Sequence, residues 1–452
     1  MTCSLPSVGG RPPRVALLVY NDAHADSRVI KTAESLRAAG TQVRIFAVAR
    51  ARAGYPEGAD TVGEGVPVWR APEFELRRYA PWLLHGGRLL LRRRDPGGSR
   101  ESTAAPVTAQ SSVRAGTGAR GRAVTVGSDL WLRTYRVVSL GLYWVLAARA
   151  AAEWIPDVVH ANDGNTLSPA WWISRRTGAR VVYDAHELWR HRNVRTDRPV
   201  APLVERLIES LVIRRADGVI TVSPSIALWL QDAYALPIRP SLVRNIPRGQ
   251  IGALDPAVGR LRELASLGPE TQVIAYGGRI TTSRGIEETL EALALLPDRV
   301  HFVLLGYGEP DYLALLHARI ARLGVADRVH LIGKVAPDLV ATALADADLS
   351  VVYVRPICLS YRFSLPNKLF ESIHAGLPIA AADLPDTAAI VRERGVGEIF
   401  DVDSPVDMAA TIARLLADPQ RYRDAAAVAA RELTWQHEER ELIGLYAEVL
   451  QG

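Results

Sequence analysis

The segment 364–381, SLPNKLFESIHAGLPIAA, places Lys368 and Glu371 three residues apart in a short helical pattern whose Leu369, Phe370 and Ile373 form an apolar face. Residues at that spacing share one side of a helix and can meet one ligand. A helix starting near Asn367, a good N-cap, presents unpaired N–H groups and a partial positive charge, which suit a phosphate, and Lys368 adds to that field. Glu371, one turn deeper, can accept two hydrogen bonds from a vicinal diol such as a ribose. Gly376 would close the helix. Phosphate at the tip and sugar hydroxyls one turn in describe a nucleotide; an exposed ion pair on a solvated helix is the competing reading.

The stretch 273–293, VIAYGGRITTSRGIEETLEAL, reads as a strand, the pair Gly277 and Gly278, Arg279, a polar loop, Arg284, Gly285 and an amphipathic helix. Two guanidiniums past the end of a strand form a clamp for a diphosphate, because arginine stays charged and donates in a fork. In 302–311, FVLLGYGEPD, Gly306 and Gly308 offer close backbone approach to a base or sugar. No G-x-G-x-x-G fingerprint and no P-loop occurs, which disfavours dinucleotide and ATPase readings.

Short β-branched runs alternate with amphipathic segments, the signature of βαβ units on parallel sheets. One series runs RVALLVY, QVRIFAVA, DVVHA, ARVVYDA and GVITVS; a second runs QVIAYGG, HFVLLG, VHLIG, DLSVVYV and LPIAAAD. The fold class expected is α/β, with two Rossmann-like doubly wound parallel-sheet domains: 1–245, 246–431, and a closing helix over 432–452 that crosses back to the first. Residues 95–128, rich in Gly, Ser, Thr and Ala, lack hydrophobic periodicity and read as a disordered insertion within the first domain.

The 452 residues, 48% hydrophobic and 23% charged, suit a soluble globular chain of two or more domains. Cys3 and Cys358 supply no disulfide framework and no thiolate cluster. The N-terminus has no secretory pattern, and no uncharged stretch reaches the roughly 18 apolar residues of a membrane span, so a cytoplasmic location is expected. The net charge of +5 is compatible with anionic partners, but no nucleic-acid motif accompanies it. The segment FELRRYAPWLLHGGRLLLRRRD, 74–95, mixes Trp82 and leucines with many arginines and could lie on the anionic inner face of a membrane; an ordinary surface helix with a basic end is the alternative.

Taken in order along the chain, NDAHADSRVIKTAESLRAAGTQVRIF, DVVHAND, VVYDAHELW, VRNIP, the Arg279 and Arg284 stretch, LLGYGE, LPNKLFESIHAGLPIAAADLPD and GVGEIFDVDSP resemble the GT-B glycosyltransferases, specifically the retaining family 4 group. The resemblance implies a donor-binding second domain that holds a nucleotide sugar through Gly278, Arg279, Arg284, Gly306, Gly308, Asn367, Lys368 and Glu371. It also implies an acceptor-binding first domain. Arg284 stands where lysine is commoner. The earlier carboxylate of the family's E-x7-E pattern would fall at Phe363, which leaves the transferred sugar to other contacts, such as the backbone N–H groups around Ser364 and Leu365.

On the acceptor side the resemblance makes His186 a functional histidine beside Glu187, with a turn-capping His186 bonded to Asp184 as the alternative. Asn162 and Asp163 follow as candidate contacts to acceptor hydroxyls. His24, Asp26 and Arg28 lie in the first loop, where Asp26 could equally cap a helix. His160 reads at least as well as a satisfied buried histidine. Catalysis would rest on His186 and on electrostatic stabilisation of the leaving diphosphate by Arg279 and Arg284, with retention at the anomeric carbon implied by the resemblance. No D-x-D-like metal site stands out, so neither metal nor cofactor is expected. The implied role is transfer to a glycan or lipid-linked acceptor in polysaccharide biosynthesis; a non-catalytic nucleotide-sugar-binding partner is the alternative, motivated by Phe363.

Overall fold

The computed structural model describes residues 4–79, 119–193, 201–248 and 253–451. Two sheets organise them. The first contains β1 (Arg14–Leu18), β2 (Gln42–Val48), β3 (Gly58–Val62), β4 (Val66–Ala71), β5 (Val158–Asn162), β6 (Arg180–Ala185), β7 (Gly218–Thr221) and β8 (Ser241–Leu242), in the order β3-β4-β2-β1-β5-β6-β7-β8. The second contains β9 (Gln272–Gly277), β10 (Val300–Leu305), β11 (Val329–Leu331), β12 (Leu349–Val352), β13 (Ile379–Ala382) and β14 (Gly397–Phe400), in the order β11-β10-β9-β12-β13-β14.

The central strands are mostly apolar because helices cover both faces; β5 and β13 are buried at every residue, and the few polar groups inside, such as His160 and Asn162 of β5, are buried with them. Every pairing is parallel except β3 with β4. That hairpin adds one antiparallel edge strand to the parallel sheet that was expected. Its outer strand, Gly58–Val62, lies at the sheet edge with an exposed middle, so it carries polar residues and no apolar run marks it. The remaining runs read from the sequence each contain a strand.

The strand order reverses between β1 and β5 in one sheet and between β9 and β12 in the other. In open α/β sheets ligands settle in the crevice outside the strand ends at such a reversal. The loops after β1, β5, β9 and β12 are therefore where a site is to be sought.

Of the insertion expected over 95–128, residues 95–118 lie outside the described residues. From Ala119 the backbone is helical and remains so to Glu153, which corrects the remainder. Late in this helix Tyr143, Ala147, Ala148 and Ala151 are buried against the first sheet. The basic and aromatic segment 74–95 is described only through Tyr79. No described helix is long and apolar enough to cross a membrane.

The chain passes between the sheets at 243–248 and returns at 433–438. The final helix, Trp435–Gln451, packs Trp435, Leu442, Tyr446 and Val449 into the core of the first sheet. Arg244 joins the two passages: its backbone N–H and guanidinium donate to the Glu438 carboxylate at 2.7, 2.9 and 2.6 Å.

Candidate functional site

A cavity of about 730 Å³ opens between the two halves. From the second half it is lined by Gly278 and Arg279 after β9, Gly306 and Tyr307 after β10, Lys334 after β11, and Asn367 and Glu371 of the helix Asn367–His374. From the first half it receives His24, Ser27, Ile30, Lys31 and Glu34. A separate cavity of about 480 Å³ beside the helix Ile286–Leu293 is lined by Glu287, Glu288, Glu291 and Asp403 against only Arg319 and Arg355, a field that repels a diphosphate.

The helix Asn367–His374 distributes its three ionisable side chains to three places. Asn367 is its first residue and not its cap; Pro366 stands at the cap position with no side-chain hydrogen bond. Leu369, Phe370 and Ile373 enter the core. His374 Nε2 meets the Leu433 carbonyl at 2.8 Å, where the chain returns to the first sheet. Lys368 turns inward: Nζ donates to the Tyr353 carbonyl at 2.6 Å and lies 4.8 Å from the centre of the Tyr276 ring. Burial, and then the Arg284 charge, push its amine well below the usual lysine range. The expectation of an ammonium held out to a ligand is thus corrected to one engaged by its own chain. Only Glu371 faces the cavity, and burial raises its carboxyl to about 7 against the opposing charges of Lys31 and Lys368.

Arg279 is more than half exposed and pairs with Glu309 at 3.0 Å. Arg284 lies 5.3 Å from the Tyr361 ring centre, beside Lys368 and outside the cavity wall. The two guanidiniums are thus brought to one loop but not to one wall. The glycines have a different purpose from the one expected. A Cβ on Gly306 would fall 1.8 Å from the Gly278 carbonyl oxygen, and one on Gly308 would fall 2.6 Å from the Ile280 carbonyl oxygen. It is the neighbouring loop's backbone that needs the space, although Gly278 and Gly306 also line the cavity.

A second cluster surrounds His186, just beyond β6. Its Nδ1 lies 3.4 Å from Asp163 and its Nε2 3.4 Å from Asp184. Burial would lower the imidazole pKa, but the two carboxylates outweigh it and raise it to about 9. A charged imidazolium donates from both nitrogens and cannot accept a proton at neutral pH. Asp184 is held well below the usual carboxylate range: burial would raise it, but Arg28, His186 and His160 prevail.

Arg28 makes a two-pronged pair with Asp184 at 2.9 and 2.6 Å and also donates to the Val243 carbonyl. It is buried, which removes it as an acceptor contact. Asn162 is corrected for the same reason: at 2% exposure its amide spans β5 to β1 by donating to the Leu18 carbonyl at 3.0 Å. Asp26 caps the helix Ser27–Ala38 by accepting from the Val29 N–H, and also accepts from Asn21. His160 is buried with Nδ1 2.8 Å from the Tyr446 hydroxyl.

The stretch after β12 closes over this cluster. Ser360 Oγ accepts from the Leu188 N–H at 3.3 Å and donates to Glu187 at 3.5 Å, and burial raises the Glu187 carboxyl to about 7. Phe363 packs against the core of the first sheet, and its carbonyl accepts from Ser223 at 2.8 Å. Its side chain is therefore an apolar contact between the halves. The Ser364 N–H closes a turn onto the Tyr361 carbonyl at 3.2 Å, so it is not available to a sugar, and Leu365 is part of the second half's core.

Lys31, Tyr307 and Lys334 escape a reading by motif. Lys31 carries the one available signal, because Ser27, Ile30, Lys31 and Glu34 repeat at i, i+3, i+4 and i+7 on a helix otherwise packed in the core. Among the described residues, no group of three or more His, Cys, Asp or Glu is arranged to hold a metal ion.

Residues 271–418 match the family described as glycosyl transferases group 1, and residues 85–249 match the glycosyl transferase 4-like domain. A D-inositol 3-phosphate glycosyltransferase of Segniliparus rotundus is 28% identical over 311 residues, 66% of this chain and 68% of that protein. One from Thermobispora bispora is 28% identical over 316 residues, 65% and 71% respectively. Among solved structures, sucrose-phosphate synthase of Thermosynechococcus elongatus superposes with a TM-score of 0.69 at 16% identity, covering 96% of this chain and 98% of its own. HepE of Anabaena in complex with UDP-glucose superposes at 0.64 with 16% identity, covering 95% and 98%.

Proposed function

From a chain that belongs to the GT-B glycosyltransferases of the family 4-like group and uses a nucleotide sugar, we infer the site and course of the transfer. The donor occupies the cavity between the halves, with its diphosphate toward Arg279 and the loop of Gly278 and its ribose on Glu371. The carrying observation is that Gly278, Arg279, Gly306, Asn367 and Glu371, which are separated along the chain, line one cavity at a strand-order reversal. Arg279 opposes the negative charge that develops as the diphosphate leaves, with Arg284 on the same loop but outside the cavity wall. The partly exposed imidazolium of His186, with its two nitrogens facing Asp163 and Asp184, contributes positive charge beside the transferred sugar and does not act as a base.

Transfer goes with retention to a hydroxyl of a sugar-like acceptor, a glycan or a lipid-linked saccharide, in polysaccharide biosynthesis at the inner face of the membrane. The chain's similarity to glycosyltransferases named for D-inositol 3-phosphate supports an acceptor rich in hydroxyls. The reading of a binding protein without catalysis rested on Phe363, and the packing of Phe363 between the halves supplies another reason for that residue.

The test is turnover of UDP-, GDP- and ADP-sugars by the wild type and by Arg279→Ala, with the anomeric configuration of the product followed by NMR. Hydrolysis or transfer that Arg279→Ala abolishes supports the reading, and an α-sugar donor giving an α-linked product supports retention. Tight nucleotide binding without turnover for any donor and acceptor would overturn it.

A further inference from the structure

The face of the helix Ser27–Ala38 that carries Ser27, Ile30, Lys31 and Glu34 belongs to the first half of the chain yet lines the cavity in which Glu371 lies. Lys31 is the centre of that face. It is 7% exposed, and its Nζ donates to the carbonyl of Ile246, in the passage between the halves. The ammonium also lies 4.8 Å from the ring centre of Trp435, the first residue of the returning helix.

Other groups fix the same three segments together. Arg248 donates to the Lys31 carbonyl at 3.0 Å and to Ser35 Oγ at 3.2 Å, and it pairs with Glu34. Trp435 donates from its indole nitrogen to Ser35 Oγ at 3.0 Å. The side chain of Lys31 therefore has little freedom.

An ammonium has three donors and no acceptor. With the Ile246 carbonyl on one side and the Trp435 ring on another, the remaining sector opens on the cavity. Lys31 and Glu371 line the same cavity, and Lys31 exerts the largest opposite-charge effect on Glu371, ahead of Lys368 on the same helix as Glu371, while burial, Arg28 and Arg248 in turn lower the Lys31 amine to about 7. We propose that Lys31 is a positioning residue for donor binding: placed by the first half of the chain, it orients the Glu371 carboxyl group toward the donor ribose.

The inference rests on the placement of the donor ribose at Glu371 given above. It makes the donor site composite, since the helix that carries Glu371 supplies Lys368 only to its own interior. A ribose meets a correctly oriented Glu371 when the helix Ser27–Ala38, the passage at Ile246 and the returning Trp435 are assembled.

The experiment is a double-mutant cycle on the full chain. Affinity is measured by calorimetry for UDP, GDP and ADP, and donor KM and kcat are measured with the corresponding sugar. Lys31→Met is the direct variant. Lys31→Gln is the second, since it retains a donor for the Ile246 carbonyl while removing the charge; if Lys31→Met fails to fold, Lys31→Gln carries the comparison.

The expected result is a loss of nucleotide affinity of about tenfold, a matching rise in donor KM, and kcat within about twofold. Lys31→Arg should recover most of the affinity. In a Glu371→Gln background the same Lys31 substitutions should change affinity by less than about twofold, because their effect passes through the carboxylate. Full additivity of the two losses overturns the proposal, as does a fall in thermal midpoint with affinity unchanged. If the wild type binds none of the three nucleotides, the function proposed above fails and takes this inference with it; if the wild type binds and the cycle is additive, only this inference fails.

Discussion

At the scale of single residues, the site contains groups whose charge is set by burial and by one or two neighbours. Glu371 folds with its carboxyl raised to about 7, against 4.5 for an exposed glutamate. The folded state then holds a proton that the unfolded state has lost, so stability falls as pH rises between those two values and stays reduced above them. Glu371→Gln is expected to raise the thermal midpoint at pH 8, by on the order of 1 kcal/mol of stability, while weakening nucleotide binding at least tenfold; scanning calorimetry and titration with UDP measure the two effects. His186 has the opposite sign. Its folded pKa of about 9 stabilises the protein fully below 6.5, and the contribution is lost as pH rises through 9. An NMR titration of the imidazole should find its midpoint near 9 in the wild type and lower in Asp163→Asn. The spacing of Lys368 and Glu371 was legible in the sequence because helical periodicity says which residues share a side. It does not say which elements will cover that side, so the inward turn of Lys368 toward Tyr353 was not legible.

At the scale of elements, the strands were legible wherever burial on both faces gave an unbroken apolar run. The exposed β3 was not, nor its partner β4, whose burial is broken by an exposed position, nor were the short β8 and β14, since each depends on a partner strand for its definition. Of the site, the loop after β9 could be read from its glycines and arginines, and the helix at Asn367 from its apolar face, although not from a cap. The end of β5 and the start of the helix Ser27–Ala38 misled, because Asn162 and Arg28 are polar residues that the fold uses internally to bridge strands and neutralise Asp184. Removing Arg28 takes the two-pronged pair from the buried Asp184 carboxylate and leaves it only the His186 and His160 rings at 3.4 Å, so Arg28→Leu is expected to cost about 3 kcal/mol in urea unfolding. The segment that carries Phe363 is an interdomain contact. Phe363→Ala should loosen the junction at Ser223 and Ser360, raising donor and acceptor KM together; Phe363→Glu, which recreates the family's first carboxylate, should lower stability further without raising turnover.

At the scale of the whole molecule, the two halves are joined by more than a linker. Arg244 and Glu438 fasten the outgoing and returning passages, and Ser225 and Asp386 meet at a further contact, with the serine hydroxyl 2.9 Å from the carboxylate. Heating is therefore expected to give one calorimetric transition, which UDP shifts upward, by about 2.7 kcal/mol of stabilisation at a hundredfold excess over Kd. Two separate transitions, or no shift, would contradict a nucleotide bound between the halves. The interleaving of the final helix with the first sheet has a consequence for biogenesis. While the ribosome is still making the second half, the first has nothing to fill the groove destined for Trp435, Leu442, Tyr446 and Val449. The nascent chain must therefore carry an open apolar furrow until its last turn of helix emerges, which makes it a client for chaperones throughout synthesis and leaves residues 1–245 alone prone to aggregate.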